Sequence, residues 1–79
     1  MEQQNVRDGY IRKSGRTLER MRSSANGNPR YRVTFSDGTV FPTAVDAQVG
    51  YSIGNPEFNG DVDVKVNGRG EIVDIRPAL

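Results

Sequence analysis

Four arginines with regular spacing carry the most evident chemistry of this sequence. Arg20 and Arg22, and again Arg30 and Arg32, lie two positions apart, and side chains at that spacing share one face of a β-strand. We expect Phe41 on the same face, across a hairpin. Guanidinium groups beside an aromatic ring suit single-stranded nucleic acid, because the charges contact phosphates while the ring stacks on a base. The alternative is a solvated arginine face with one aromatic packed at a loop or subunit contact.

Three carboxylates form a second cluster. Asp61 and Asp63 alternate along a predicted strand, and Asp74 is expected directly across from Asp63. Such a trio could bind a divalent cation, or raise the pKa of one member for acid–base chemistry. Lys65 shares their face, which favours a solvated strand surface. We therefore predict neither metal ligands nor catalytic residues here.

Two other motifs have structural explanations. Gly68-Arg69-Gly70 lies between two predicted strands, so a hairpin turn that needs positive φ explains its glycines better than a phosphate loop does. Thr43 to Asp46 has the form of a capping box, which marks a helix start. No neighbouring group could activate the Thr43 hydroxyl as a nucleophile.

The composition excludes several classes of function. The 79 residues contain no Cys and no His, which removes disulfides, the commonest zinc sites and His-dependent catalytic triads. No apolar run resembles a signal peptide or approaches the roughly 20 residues that cross a bilayer. We predict a cytoplasmic, non-catalytic protein without a cofactor and without a membrane partner.

Charge is divided unevenly along the chain. Residues 1–32 contain eight Lys or Arg against three Asp or Glu, whereas residues 33–79 contain three against seven. The basic half could contact an acidic partner or nucleic acid, or the two halves could pair with each other or in self-association. A chain this short gains little net stability from its core, so we expect a homo-oligomer.

The beginning of the chain is predicted to be a flexible arm over residues 1–9, followed by a single domain over residues 10–79. Residues 10–16 fit either a short strand or the arm. A strand is predicted over Thr17–Ser23, and a turn over residues 25–29.

The first clear hairpin centres on Asp37-Gly38. A two-residue type I′ loop would place Phe35 opposite Val40 and Thr34 opposite Phe41. This register brings Phe41 to the face of the arginines. The alternating residues predicted to be buried are Tyr31, Val33 and Phe35.

A short helix is predicted next, starting at the Thr43 box. Val45, Val49 and Ile53 recur every four residues along one stripe. Gly54 would supply a left-handed cap before Pro56.

The second hairpin pairs Val62–Val66 with Ile72–Ile75. A four-residue loop over 67–70 would set Val64 opposite Val73, whereas a three-residue loop would set Val64 opposite Asp74. Burial favours the four-residue loop.

The predicted order of elements is three strands, a short helix and two strands. This order is typical of a small five-stranded OB-like barrel with its helix between strands three and four. An SH3-like barrel is the alternative.

Several short motifs are similar to small uncharacterised proteins encoded by actinobacterial phages, over residues 17–76. They are Asn26–Tyr31, Asp37-Gly38, Thr43–Ala47 and Gly68–Ile72. The resemblance implies an intracellular accessory protein expressed in an infected host, and it transfers no catalytic residue.

The function expected from these features is protein–protein interaction, with a host protein or a second copy of the chain as partner. Binding of single-stranded nucleic acid is the alternative.

Overall fold

The structure is a computed structural model of the chain and describes residues 6–78. Its strands and helix follow one another as β1 (Ile11–Lys13), β2 (Thr17–Arg20), β3 (Tyr31–Thr34), β4 (Val40–Pro42), α1 (Val49–Ser52), β5 (Val62–Val66) and β6 (Ile72–Pro77). A 3₁₀ turn, Pro56–Phe58, lies between α1 and β5.

The strands of this region form two three-stranded antiparallel sheets, ordered β1–β5–β6 and β2–β3–β4. The prediction of a small, mostly β domain with one short helix is confirmed. The structure has six strands where five were predicted, because β1 forms within residues 10–16, the stretch that fitted either a short strand or the arm. The two sheets of residues 6–78 do not make a closed barrel. They meet where Thr43 bridges Ile72 in parallel and where the Ser36 N–H donates to the Ser14 carbonyl.

The core lies between the sheets and follows the alternation of the sequence. Val33 and Phe35 are buried as predicted, while Tyr31 between Arg30 and Arg32 is only half-buried. The buried apolar cluster consists of Val33, Phe35, Val49, Ile53, Phe58, Val62, Val64, Ile72 and Ile75.

The first hairpin has a different register from the predicted one. Phe35 N–H donates to the Thr39 carbonyl at 2.9 Å, so the loop has three residues and Gly38 takes φ 88°. Val33 therefore lies opposite Phe41. A type I turn followed by a left-handed glycine adds the extra loop residue. Because a slip of one residue exchanges the faces of a strand, Phe41 points towards the core.

The second hairpin also has a three-residue loop, so the predicted four-residue loop is wrong. Asn67 N–H donates to the Glu71 carbonyl at 2.9 Å, and Gly70 takes φ 77°. An irregularity between Lys65 and Val66 then shifts the register, so that Val64 faces Ile75. The bulge restores the burial that the shorter loop alone would have lost.

The predicted capping box does not form. Thr43 is fully buried, and its hydroxyl accepts the Tyr31 N–H at 3.0 Å. The helix starts only at Val49, with no side-chain cap, and Val45 is 53% exposed. Gly54 does not have the positive φ of the predicted left-handed cap.

Candidate binding surface

The arginines predicted to form one face are divided between two. Arg32 lies opposite Glu19 and forms an ion pair with it. Arg20 lies opposite Tyr31, and its guanidinium carbon sits 5.5 Å from the centre of that ring. Because cross-strand neighbours share a face, Arg20 and Arg32 point to opposite sides of the sheet.

The remaining predicted site residues separate further. Arg22 follows the end of β2, which is shorter than predicted, and is exposed. Arg30 donates to the Thr43 carbonyl at 3.0 Å and approaches a Glu71 carboxylate oxygen to 3.6 Å. Phe41 packs against the core, with its ring centre 6.4 Å from that of Phe35. The predicted grouping of Phe41 with the arginines came from the wrong hairpin register.

Most cations of residues 6–78 are bound within the chain. The six ion pairs of this region join Arg7 and Arg12 to Asp63, Lys13 to Asp37, Arg30 to Glu71, Arg32 to Glu19, and Arg76 to Asp74. Four of them connect the basic first part of the chain to the acidic second part. Half of the eight cations in the first part are thus paired with carboxylates of the second part.

The outer face of β1–β5–β6 carries a buried carboxylate. Asp63 has no exposed surface and accepts from Arg7 at 2.8 Å and from Arg12 at 2.6 Å. Arg7 also donates to the Pro77 carbonyl at 2.8 Å. The predicted arm is therefore in contact with β5 and β6 at Arg7, while its residues 1–5 lie outside the described part of the chain.

The predicted carboxylate trio does not assemble. Asp63 lies opposite Arg76, and Asp74 lies opposite Lys65. Burial raises the pKa of Asp74, but hydrogen bonds from Tyr10 and Arg76 outweigh it and hold that pKa below its usual value. In the part of the chain that is described, no group of three acidic side chains could hold a metal ion.

Arg16 fastens the segment after α1 to the start of β2. Its guanidinium donates to the carbonyls of Ile53 at 2.7 Å, Phe58 at 2.8 Å and Asn55 at 3.0 Å. It also donates to the side-chain oxygen of Asn59 at 3.0 Å. These bonds satisfy carbonyls left free at the ends of α1 and the 3₁₀ turn. Partial burial lowers the pKa of Arg16.

Two loops form a common surface that we call the loop platform, residues 24–29 and 44–51. Asp46 joins them, because its carboxylate accepts from Ser24 at 2.5 Å, Asn28 at 2.6 Å and Asn26 at 3.0 Å. These bonds, the one from Ser24 first, lower the pKa of Asp46. Asp46 has φ 58°, a left-handed conformation that Asp tolerates.

The two loops also touch at a glycine. A Cβ on Gly50 would lie 2.3 Å from the Pro29 carbonyl oxygen, so only glycine allows this approach. Tyr51 donates its hydroxyl to Asn28 while 61% of the residue stays exposed. The platform therefore presents an exposed ring, together with Val45, on loops that are already ordered.

A second region, the basic end, is the end of the β2–β3 pair together with the β5–β6 loop, and it carries Arg20, Arg22, Arg30 and Arg69. Arg20 lies on the face of the pair opposite to Arg30. The ion pair between Arg30 and Glu71 brings the β5–β6 loop against the end of the β2–β3 pair. Arg22 and Arg69 are exposed, and their guanidinium groups make no hydrogen bond or ion pair with residues 6–78. Sequence reasoning missed Arg69, since its neighbouring glycines indicated only a turn.

No family model matches the chain, and no curated protein or solved structure matches it either. Among residues 6–78, no helix has the length and apolar character needed to cross a membrane.

Proposed function

We propose that this chain is a non-catalytic protein-interaction module that binds its partner through the loop platform. The observation that carries this proposal is the cross-linking of two exposed loops by Asp46, with Tyr51 held on top of them. Loops that are ordered before binding lose less conformational entropy when a partner arrives.

The chemistry of the platform supports a protein partner. Tyrosine, serine, glycine and asparagine are enriched in the binding loops of antibodies, because the ring supplies rigid contact area and the small polar groups adapt. The platform combines Tyr51 with Ser24, Asn26, Gly27 and Asn28.

The side chains with catalytic potential have structural partners instead. Asp63 accepts hydrogen bonds from Arg7 and Arg12, and Asp74 accepts hydrogen bonds from Tyr10 and Arg76. This engagement supports a binding role. In line with the phage resemblance, we propose a host protein in the host cytoplasm as the partner.

The test is an affinity pull-down from nuclease-treated host lysate with wild type, Tyr51→Ala and Val40→Ala. Val40 is an exposed apolar residue on β4, outside the platform, and serves as the control. We expect a stoichiometric protein that wild type and Val40→Ala retain and that Tyr51→Ala loses. Recovery of nucleic acid alone, or equal capture by all three proteins, would contradict the proposal.

A second candidate function is binding of single-stranded nucleic acid by an OB-like scaffold. The parallel contact between Thr43 and Ile72 and the short link from β1 to β2 support an OB-like relation between the two sheets, with β1 and β2 acting as one bent strand. In OB folds, ligands contact strands two and three and the loops equivalent to 21–30 and 67–71 here. The ion pair between Arg30 and Glu71 joins these two loops.

An oligonucleotide titration tests this second function. Binding to oligo-dT should weaken with salt by a slope of about −0.7 per phosphate neutralised. Replacing Arg22 and Arg69 with Ala should reduce both the affinity and this slope, whereas Lys65→Ala should change neither. No binding at low salt would exclude the function.

A further inference from the structure

The loop platform and the basic end are adjacent along the chain. Both use the segment between β2 and β3, residues 21–30. Within it, Asn28 contacts Asp46 and Tyr51 of the platform. Arg30, two residues later, belongs to the basic end and contacts Thr43 and Glu71. A partner seated on Tyr51 would therefore lie next to cationic side chains.

These cations keep charge available for a partner. Arg20 lies over the Tyr31 ring, and within the described part of the chain its guanidinium donates only to the Ser23 hydroxyl. The guanidinium groups of Arg22 and Arg69 make no hydrogen bond or ion pair with residues 6–78. Glu71 is the carboxylate that contacts the basic end, and it already binds Arg30 and Asn67. The surface thus carries more positive charge than its own carboxylate can balance.

The platform beside them carries a single formal charge, which is negative. Asp46 is its charged residue, and both carboxylate oxygens accept hydrogen bonds from within the platform. Val45 and the ring of Tyr51 are exposed there. An apolar contact region is therefore bordered on one side by arginines.

We propose that the partner of this surface is an acidic protein segment that carries apolar side chains. This proposal rests on the protein-interaction function and names the chemistry of the partner. Apolar side chains contact Val45 and Tyr51, and neighbouring carboxylates pair with Arg22 and Arg69. Such charge complementarity contributes to specificity and association rate.

The distribution of aromatic rings favours a protein over nucleic acid. Stacking of successive bases needs several accessible rings. Tyr51 is the exposed aromatic residue among residues 6–78, while one face of Tyr31 is covered by Arg20 and Phe41 packs against the core. A single ring beside Val45 suits apolar side chains better than a row of bases.

The experiment uses four fluorescent probes of equal length and measures anisotropy with the full chain. One peptide alternates Glu with Leu, a second contains Glu and Ser, a third replaces every Glu of the first with Lys, and the fourth probe is oligo-dT. We expect the Glu–Leu peptide to bind most tightly and the Lys–Leu peptide not to bind. Absence of Glu–Leu binding, or equal binding of the Glu–Ser peptide, overturns the proposal. Tighter binding of oligo-dT assigns the surface to nucleic acid and also overturns it.

Variants locate the binding. Arg22→Ala combined with Arg69→Ala should weaken Glu–Leu binding by about tenfold, as expected for two charged contacts at the edge of an interface. Tyr51→Ala should weaken Glu–Leu binding more than the arginine double variant does. Tyr51→Phe keeps the ring and should bind nearly as tightly as wild type. Lys65→Ala removes an exposed cation of β5, outside the basic end, and should have no effect. If Lys65→Ala weakens binding as much as the arginine pair does, the attraction is non-specific and the proposal fails.

The outcomes separate this inference from the proposed function. Suppose that a protein is captured from lysate in a Tyr51-dependent way and that replacing Arg22 and Arg69 does not affect its binding. The protein-interaction function then stands, and the acidic partner is rejected. If no protein is captured in a way that depends on Tyr51, both the protein-interaction function and the acidic partner are rejected.

Discussion

Gly50 and Pro29 approach so closely that a Cβ on Gly50 would lie 2.3 Å from the Pro29 carbonyl oxygen. The helix accepts a residue of poor helical propensity because the neighbouring loop occupies the space of a side chain. This contact fixes the distance between the two loops of the platform.

Replacing Gly50 with Ala should destabilise the protein although alanine is the better helix former. Helical propensity would add roughly 1 kcal/mol, whereas the steric clash should cost more, leaving a net loss of about 1–3 kcal/mol. Urea denaturation measures the change. Gly54→Ala is the matched control, since its Cβ would meet only a Leu18 methyl carbon at 3.8 Å. Equal stability of both variants would contradict the role of the contact.

Asp46 should make the stability of the platform depend on pH. Hydrogen bonds from Ser24, Asn28 and Asn26 lower the pKa of Asp46 in the folded protein. A group whose pKa is lowered by folding stabilises the fold above its unfolded pKa of about 3.9, and this contribution is lost as pH falls through the folded pKa.

The measurement compares urea midpoints of wild type and Asp46→Asn between pH 6 and pH 2. Asparagine also tolerates positive φ, so the backbone should be preserved. Wild type should be the more stable protein at pH 6, and the difference should shrink as the solution becomes more acidic. A difference that is independent of pH would exclude the carboxylate as the cause.

Asp63 should be the most sensitive carboxylate of the described region. Its removal leaves Arg7 and Arg12 without a shared acceptor on a covered face. Breaking a buried pair typically costs about 3–5 kcal/mol; because the arginines are partly exposed, we expect a loss near 3 kcal/mol for Asp63→Ala. Asp61→Ala, at an exposed position, should have little effect on the denaturation midpoint. A loss below about 1 kcal/mol for Asp63→Ala would show that solvent replaces the carboxylate.

Arg16 should hold the segment after α1 in place. Arg16→Lys keeps the charge but cannot reproduce four bonds from one planar group. Hydrogen exchange should therefore accelerate at the Phe58 and Asn59 amides, which close the 3₁₀ turn. Amides of β5 serve as the internal reference. Uniform acceleration across the chain would indicate global destabilisation instead of a local clamp.

The sequence predicts those parts of the fold that depend on period-two alternation. Val33 and Phe35, and likewise Val62 and Val64, are buried as expected. These positions follow directly from which face of a strand excludes water.

The lengths of the two hairpin loops could not be predicted from the sequence, and the composition of the candidate site depends on the first of them. Asp37-Gly38 fits both a two-residue and a three-residue loop, and the difference of one residue turns Phe41 from the outer face to the core. In the second hairpin, burial and loop preference conflict, and the backbone resolves the conflict with a bulge. Asp46 gives no local signal, because its partners are about 20 residues away in sequence.

The internal ion pairs affect how any titration with salt must be interpreted. Four of the six couple the first part of the chain to the second, and dissolved ions screen the more exposed ones. Added salt therefore shifts the folding equilibrium as well as an association equilibrium. An unfolding midpoint measured at each ionic strength would prevent a partly unfolded sample from being mistaken for a weaker complex.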